Sequence, residues 1–212
     1  MAATEPATQG QEDQGRTGRG HAGQGRTVVR VWALVALALV ALAVYGFDQL
    51  TKYLITENLS IGEQTPVLGE VLQFHFVKNS GAAFSLASGS TWFFSIVASG
   101  VVIFITWYAR RIRSIGWAIL FGMLLGGTLG NLTDRLFREP SFGLGHVVDF
   151  IQVWGFPAIF NIADSFIVAS MGLFIILTIR GIGLDGKRHT KPAVRESAPA
   201  ADTAPSDASS DQ

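Results

Sequence analysis

VVRVWALVALALVALAVYGFDQLTK, residues 28–52, is an apolar run that closes on two opposite charges, Asp48 and Lys52. From Val28 to Phe47 only Arg30 is charged, and the run has the roughly 20 residues needed to cross a hydrocarbon core as a helix. Three further runs follow, Thr91 to Ala109, Ile115 to about Leu132, and about Ile159 to Ile179. The whole chain has 212 residues, 49% hydrophobic and only 15% charged, with a mean hydropathy of +0.36. A soluble domain carries about 25% charged residues, so this surface is built for lipid rather than water. The expected fold is an all-α integral membrane protein, a bundle of four transmembrane helices.

The ends differ in composition from the middle. Residues 1–27 are Gly, Gln, Thr and Arg without apolar periodicity, and residues 183–212 are rich in Ala, Pro, Ser and Asp. Neither buries enough surface to offset the entropy of ordering, so both read as disordered tails around a membrane domain over 28–182. No small-x-small cleavage signature follows the first run, which is therefore expected to be retained. Basic residues set the orientation. Arg16, Arg19, Arg26 and Arg30 precede the first run's core, Arg110, Arg111 and Arg113 join the second to the third, and Arg180, Lys187, Arg188, Lys191 and Arg195 follow the fourth. Only Lys52, Lys78, Arg135 and Arg138 fall on the other side, so both termini are expected in the cytoplasm and residues 48–90 and 132–158 outside. In the first outer segment, Val71 to Val77 has the β-branched and aromatic content of a strand, which predicts a small extracytoplasmic β-element on the outer leaflet. The second outer segment reads as a loop around Pro140 and Gly143, with Pro157 opening the fourth helix.

Polar residues gather at the outer ends of these helices: Asp48, Lys52, Asn79, Asn131, Asp134, Arg135, Asp149, Asn161 and Asp164. An ionisable group in or near a bilayer is expensive unless it is paired or faces the bundle interior, so each is a functional candidate. Asp48 and Lys52, four apart, read as an orienting ion pair rather than as chemistry. Asp134 is expected to pair with its neighbour Arg135. Asn79 has a plain alternative as a turn cap, and His75 and His146 read as surface or turn residues. Gly122, Gly126 and Gly130 form a small-xxx-small seam for close helix packing. Asp149 and Asp164 have no basic neighbour to pair with, and spacing alone leaves catalysis and an ion path both open.

The available chemistry is narrow. The chain has no cysteine, which removes disulfides, thiolate metal sites and a Cys nucleophile. Zero formal charge gives no general field for nucleic acid. His146-Val-Val-Asp149 supplies too few ligands for a zinc site, and there is no Gly-x-Ser-x-Gly elbow, Ser-x-x-Lys pair or phosphate loop. Paired carboxylates remain, which by sharing a proton activate water and polarise an amide carbonyl.

Five motifs, in order, carry a family resemblance: Asp48-Gln-Leu-Thr-Lys52, Asn79-Ser-Gly-Ala-Ala-Phe-Ser85, Gly126-Gly-Thr-Leu-Gly-Asn-Leu-Thr-Asp-Arg135, Val147-Val-Asp-Phe150 and Phe160-Asn-Ile-Ala-Asp-Ser165. Over about residues 28–182 the chain resembles lipoprotein signal peptidase, or signal peptidase II. The resemblance implies a bacterial cytoplasmic-membrane aspartic endopeptidase that cuts prolipoproteins before a diacylglyceryl-modified cysteine. It implies Asp149 and Asp164 as the catalytic pair. It further implies Asp48, Lys52, Asn79, Gly81, Asn131, Asp134, Arg135, Asn161 and Ala163 as residues that build the site or hold substrate. Lipidated prolipoprotein and membrane lipid are the implied partners, and no metal or organic cofactor is called for. The stretch from Arg135 to Gly145 is several residues longer than the family's usual loop. A small transporter subunit with membrane carboxylates is the alternative reading, and a scaffold whose buried charges fix helix register is a third.

Overall fold

The computed structural model describes residues 19–81 and 91–188, with side chains from Arg30 onward. The elements run α1 (Arg19–Asn58), β1 (Gln64–Leu68), β2 (Leu72–Asn79), α2 (Thr91–Tyr108), α3 (Ile115–Phe137), β3 (Val147–Val153) and α4 (Ile162–Ile179). Four stretches are long and apolar enough to span a membrane: Arg30–Asn58, Thr91–Arg111, Ile115–Phe137 and Ile162–Ile179.

Packing of α1 on α3 rests on the glycine seam. A Cβ on Gly122 would lie 2.8 Å from the Leu37 carbonyl, and one on Gly126 2.8 Å from Val44 Cβ. At Gly130 it would collide with the Asp48 carboxylate. Gly127, one position round, lets Ala163 and Ile167 of α4 approach the other side. With no hydrophobic drive between helices in lipid, this close backbone approach supplies the dispersion contacts that hold the bundle. At the end distant from Asp48, Ala33 and Leu37 of α1 pack with Ala109, Ile112 and Ala118.

The sheet is antiparallel in the order β1-β2-β3. Phe76, Val148 and Phe150 bury against Ile55 near the end of α1, and Phe74 meets Phe150 edge to face at 5.9 Å. This apolar underside seats the sheet on the bundle.

Several boundaries differ from the sequence reading. Residues 147–153 form a strand, not part of a loop: Val147-Val148-Asp149-Phe150-Ile151 has the branched and aromatic content of a sheet, and β2 supplies its partner. The first helix begins at Arg19, inside the segment assigned to the N-terminal tail, and the third continues to Phe137. The fourth begins at Ile162 and is opened by Asn161 rather than Pro157. Asn161 caps the Asp164 N–H while the Asp164 side chain accepts from the Asn161 N–H, a reciprocal capping box. Residues 183–188 are also described and fold back on the α2–α3 turn. The remaining tail residues, 1–18 and 189–212, lie outside the described residues, as do 82–90 from the Asn79–Ser85 motif onward.

Candidate active site

Five elements converge at one end of the bundle. β3 carries Asp149, β2 ends on Asn79, α3 brings Asn131 and Asp134, the N-terminus of α4 brings Asn161 and Asp164, and α1 brings Asp48 and Lys52.

Asn161 is the joint between the two lone aspartates. Its Nδ2 donates to Asp149 Oδ1 at 2.7 Å, and its backbone N–H donates to Asp164 Oδ2 at 3.2 Å. The second oxygens are held from other elements: Asn79 Nδ2 donates to Asp149 Oδ2 at 2.8 Å, and Asn131 Nδ2 to Asp164 Oδ1 at 2.8 Å. Gly81 N–H donates to Asn79 Oδ1 at 2.8 Å and so fixes the amide's direction, with Gly81 at φ +89°. That left-handed backbone suits glycine, and a Cβ there would strike the Phe94 ring at 2.8 Å. Asp149 is buried, whereas Asp164 keeps partial exposure, so the pair opens on one side. Burial pushes the Asp149 carboxyl up to about 6, and the nearby charge of Asp164 adds to the rise, against lowering by the Asn79 and Asn161 hydrogen bonds and by Lys52.

Behind this pair lies a buried ionic layer. Lys52 Nζ sits 2.8 Å from both Asp48 Oδ2 and Asp134 Oδ2, and donates to Asn131 Oδ1 at 2.9 Å. Lys52, Asp48 and Asp134 are each 0% exposed. Every remaining carboxylate oxygen of the layer has a donor. Ala163 N–H reaches Asp48 Oδ1 at 2.9 Å, so this position contributes through its backbone. Arg138 Nε reaches Asp134 Oδ1 at 2.6 Å. Asn131 Oδ1 accepts from both Lys52 and Asn161, so the layer directly orients the amides that hold the aspartates.

Asp134 does not pair with Arg135. Its partners are Lys52 and Arg138, because adjacent residues on a helix point about 100° apart while i,i+4 residues share a face. Arg135 instead lies 5.1 Å over the Phe94 ring, feels the charges of Asp149, Asp164 and Asp134, and its Nη1 finds no hydrogen-bond partner among the described residues. Arg138 was missed from sequence, since ending the third helix near Leu132 removed the i,i+4 relation that signals it. Gln49, also missed, donates to Asp48 Oδ2 and to the Gly130 carbonyl, tying α1 to α3 at the glycine contact.

The sequence pattern of signal peptidase (SPase) II matches residues 40–180, which include every residue of this constellation. The chain belongs to the signal peptidase II family. A lipoprotein signal peptidase of Leifsonia xyli subsp. xyli is 62% identical over 184 residues, covering 86% of this chain and 85% of that protein. One of Mycobacterium avium is 44% identical over 154 residues, covering 73% and 84%. A solved bacterial membrane enzyme, determined by the in meso method at 1.9 Å, superposes with a TM-score of 0.61 at 33% identity, covering 68% of this chain and 92% of that one. Membership of signal peptidase II sets aside the transporter and scaffold readings.

Proposed function

We propose that this protein is an aspartic endopeptidase that removes signal peptides from prolipoproteins by cleaving before the diacylglyceryl-modified cysteine, with Asp149 and Asp164 as its catalytic pair. The observation that carries the reading is the joint at Asn161, which ties both carboxylates into one hydrogen-bonded unit in a signal peptidase II chain.

Charge balance supports a shared proton. Lys52, Arg135 and Arg138 face Asp48, Asp134, Asp149 and Asp164. Three cations offset three carboxylates, so electroneutrality in a low-dielectric site leaves one acid protonated. Burial raises the Asp149 carboxyl above the usual carboxylate range, which favours Asp149 as the member of the pair that holds the proton when substrate is bound and water excluded. Asp164 is then the base that takes a proton from water as the oxygen attacks the scissile carbonyl carbon. Asp149 donates a hydrogen bond to the developing oxyanion and afterwards protonates the leaving nitrogen. Asp48, Lys52, Asp134 and Arg138 position the amides, Asn79 and Gly81 hold Asp149, and Arg135 supplies positive charge beside the pair. Residues 28–182 form the peptidase domain, set in the cytoplasmic membrane with both termini inside and the sheet on the outer leaflet, where a diacylglyceryl anchor holds its peptide.

Purified protein tests this on a precursor peptide with and without diacylglyceryl on its cysteine. Cleavage before the lipidated cysteine alone is expected. Equal cleavage of the unlipidated peptide would remove lipid recognition from the account.

A further inference from the structure

We propose that the end of the bundle opposite Asp149 carries a binding site for anionic phospholipid headgroups, built from the α2–α3 turn and the segment that follows α4. The site stands apart from the catalytic reading. It rests on the proposed orientation only for which leaflet it meets.

α2 starts beside the active site, where Thr91 Oγ1 donates to the Ser80 carbonyl, and ends 18 residues later, about 27 Å away at 1.5 Å per residue. There two segments distant in sequence are stitched together. Arg113 and Ser114 N–H both donate to the Leu184 carbonyl, at 2.9 and 3.1 Å, and Trp117 Nε1 donates to the Ile182 carbonyl at 2.9 Å. Residues 182–188 close on themselves through Gly183 N–H to the Lys187 carbonyl at 2.8 Å and an antiparallel bridge between Ile182 and Arg188. The 182–188 half of this clasp lies beyond residue 180, where the family match ends.

The clasp gathers predominantly positive charge. Arg110, Arg111, Arg113, Arg180, Lys187 and Arg188 are all exposed on it or beside it. The ion pairs of Lys52 with Asp48 and Asp134, of Lys78 with Glu139 and of Arg138 with Asp134 sit at the other end of the bundle. Asp185 is the acidic residue within the clasp, with Oδ1 accepting from Lys187 N–H. Next to the charges stand the aromatics of a membrane–water boundary. Trp107 is 61% exposed, and the Arg111 guanidinium lies 5.2 Å from its ring and 5.6 Å from that of Tyr108. Rings at headgroup depth place the arginines beside phosphodiesters, for which a guanidinium fork is suited. A cationic surface at that depth, docked by backbone hydrogen bonds, fits an anionic lipid surface.

The test is thermal stability of the full chain in neutral detergent, with added phosphatidylglycerol, phosphatidylcholine of the same acyl chains, or inorganic phosphate. Phosphatidylglycerol should raise Tm by roughly 3 °C or more above phosphatidylcholine, the scale of a ligand bound well above its Kd. That difference should vanish in R110Q/R113Q/K187Q/R188Q and survive in Lys78→Gln, whose charge lies at the other end. Should the fourfold variant not fold, about 0.5 M salt on the unaltered protein should erase the difference instead. No preference for phosphatidylglycerol, or a preference that outlasts neutralisation or salt, overturns the proposal. An equal shift with inorganic phosphate overturns it in favour of a free-anion site. Cleavage activity enters none of these readouts, so their failure leaves the catalytic reading untouched, and the reverse.

Discussion

The α1–α3 seam does two different jobs along its length. Around Gly122 and Gly126 it is wholly apolar, α1 offering Leu37, Val40, Ala41 and Val44. One turn further, at Gly130, the same geometry admits a carboxylate, and the helices are joined by Asp48, Lys52, Asp134 and Gln49. The apolar stretch stabilises by dispersion and loses little from modest repacking. The polar stretch gains little net stability, because desolvating Lys52 and its partners offsets most of their attraction. Its return is position: Lys52 orients Asn131, which orients Asn161 and Asp164. One small-residue stripe thus serves as glue at one level and, at the next, as a mount for the proposed catalytic pair.

Substitutions separate the two levels. The largest loss is expected at the pair itself: Asp149→Asn and Asp164→Asn should each lower kcat by a factor on the order of 10³ or more, with a far smaller change in Tm, because the ionisable group is removed while size and one of the two accepted hydrogen bonds are kept. Lys52→Met should act on both axes, stranding two buried carboxylates at a cost of about 3–5 kcal/mol and lowering turnover per folded molecule. Thermal unfolding in detergent beside the cleavage rate resolves the two parts.

Gly126→Val should lower stability by about 1–3 kcal/mol through overpacking against Ala41 and Val44, with kcat nearly intact in the folded fraction. Gly46→Ala, on the same helix with open space around it, should be neutral or stabilising by about 0.5–1 kcal/mol. If Gly126→Val instead abolished turnover in folded protein, the apolar stretch would also be setting site geometry and the division of labour would fail.

The smallest effect is a shift in pH. With Asp149 as the acid, kcat/KM should fall as pH rises through about 6, because that proton is then lost from the free enzyme. Asn79 donates to the charged form and holds the value down, so Asn79→Ala should move this limb to higher pH while lowering the maximum rate. A limb that moved downward would assign the proton elsewhere.

The four spans and the glycine seam were legible in sequence because each is a run of many residues with one physical demand, burial in lipid or close approach. The aspartates stood out for the converse reason, as charges without a local partner. What could not be read were relations made across the chain. The strand at Val147–Val153 shows its composition in sequence, but its partner lies some seventy residues earlier, with Lys78 opposite Val148. Asp134 was matched to the nearest cation in sequence, whereas its pairing is decided by helix phase and by α1. The clasp at 182–188 has no periodic signal, being held by backbone carbonyls whose donors lie in the α2–α3 turn.

The central claim is that Asp149 and Asp164 act as one unit. The most direct measurement is cleavage of a lipidated precursor peptide by Asp149→Asn, Asp164→Asn and the double variant, each corrected for folded fraction. Groups that share one proton lose their function together, so the double variant should be no slower than either single one. Losses that multiply, or substantial turnover left in either single variant, would contradict a catalytic pair.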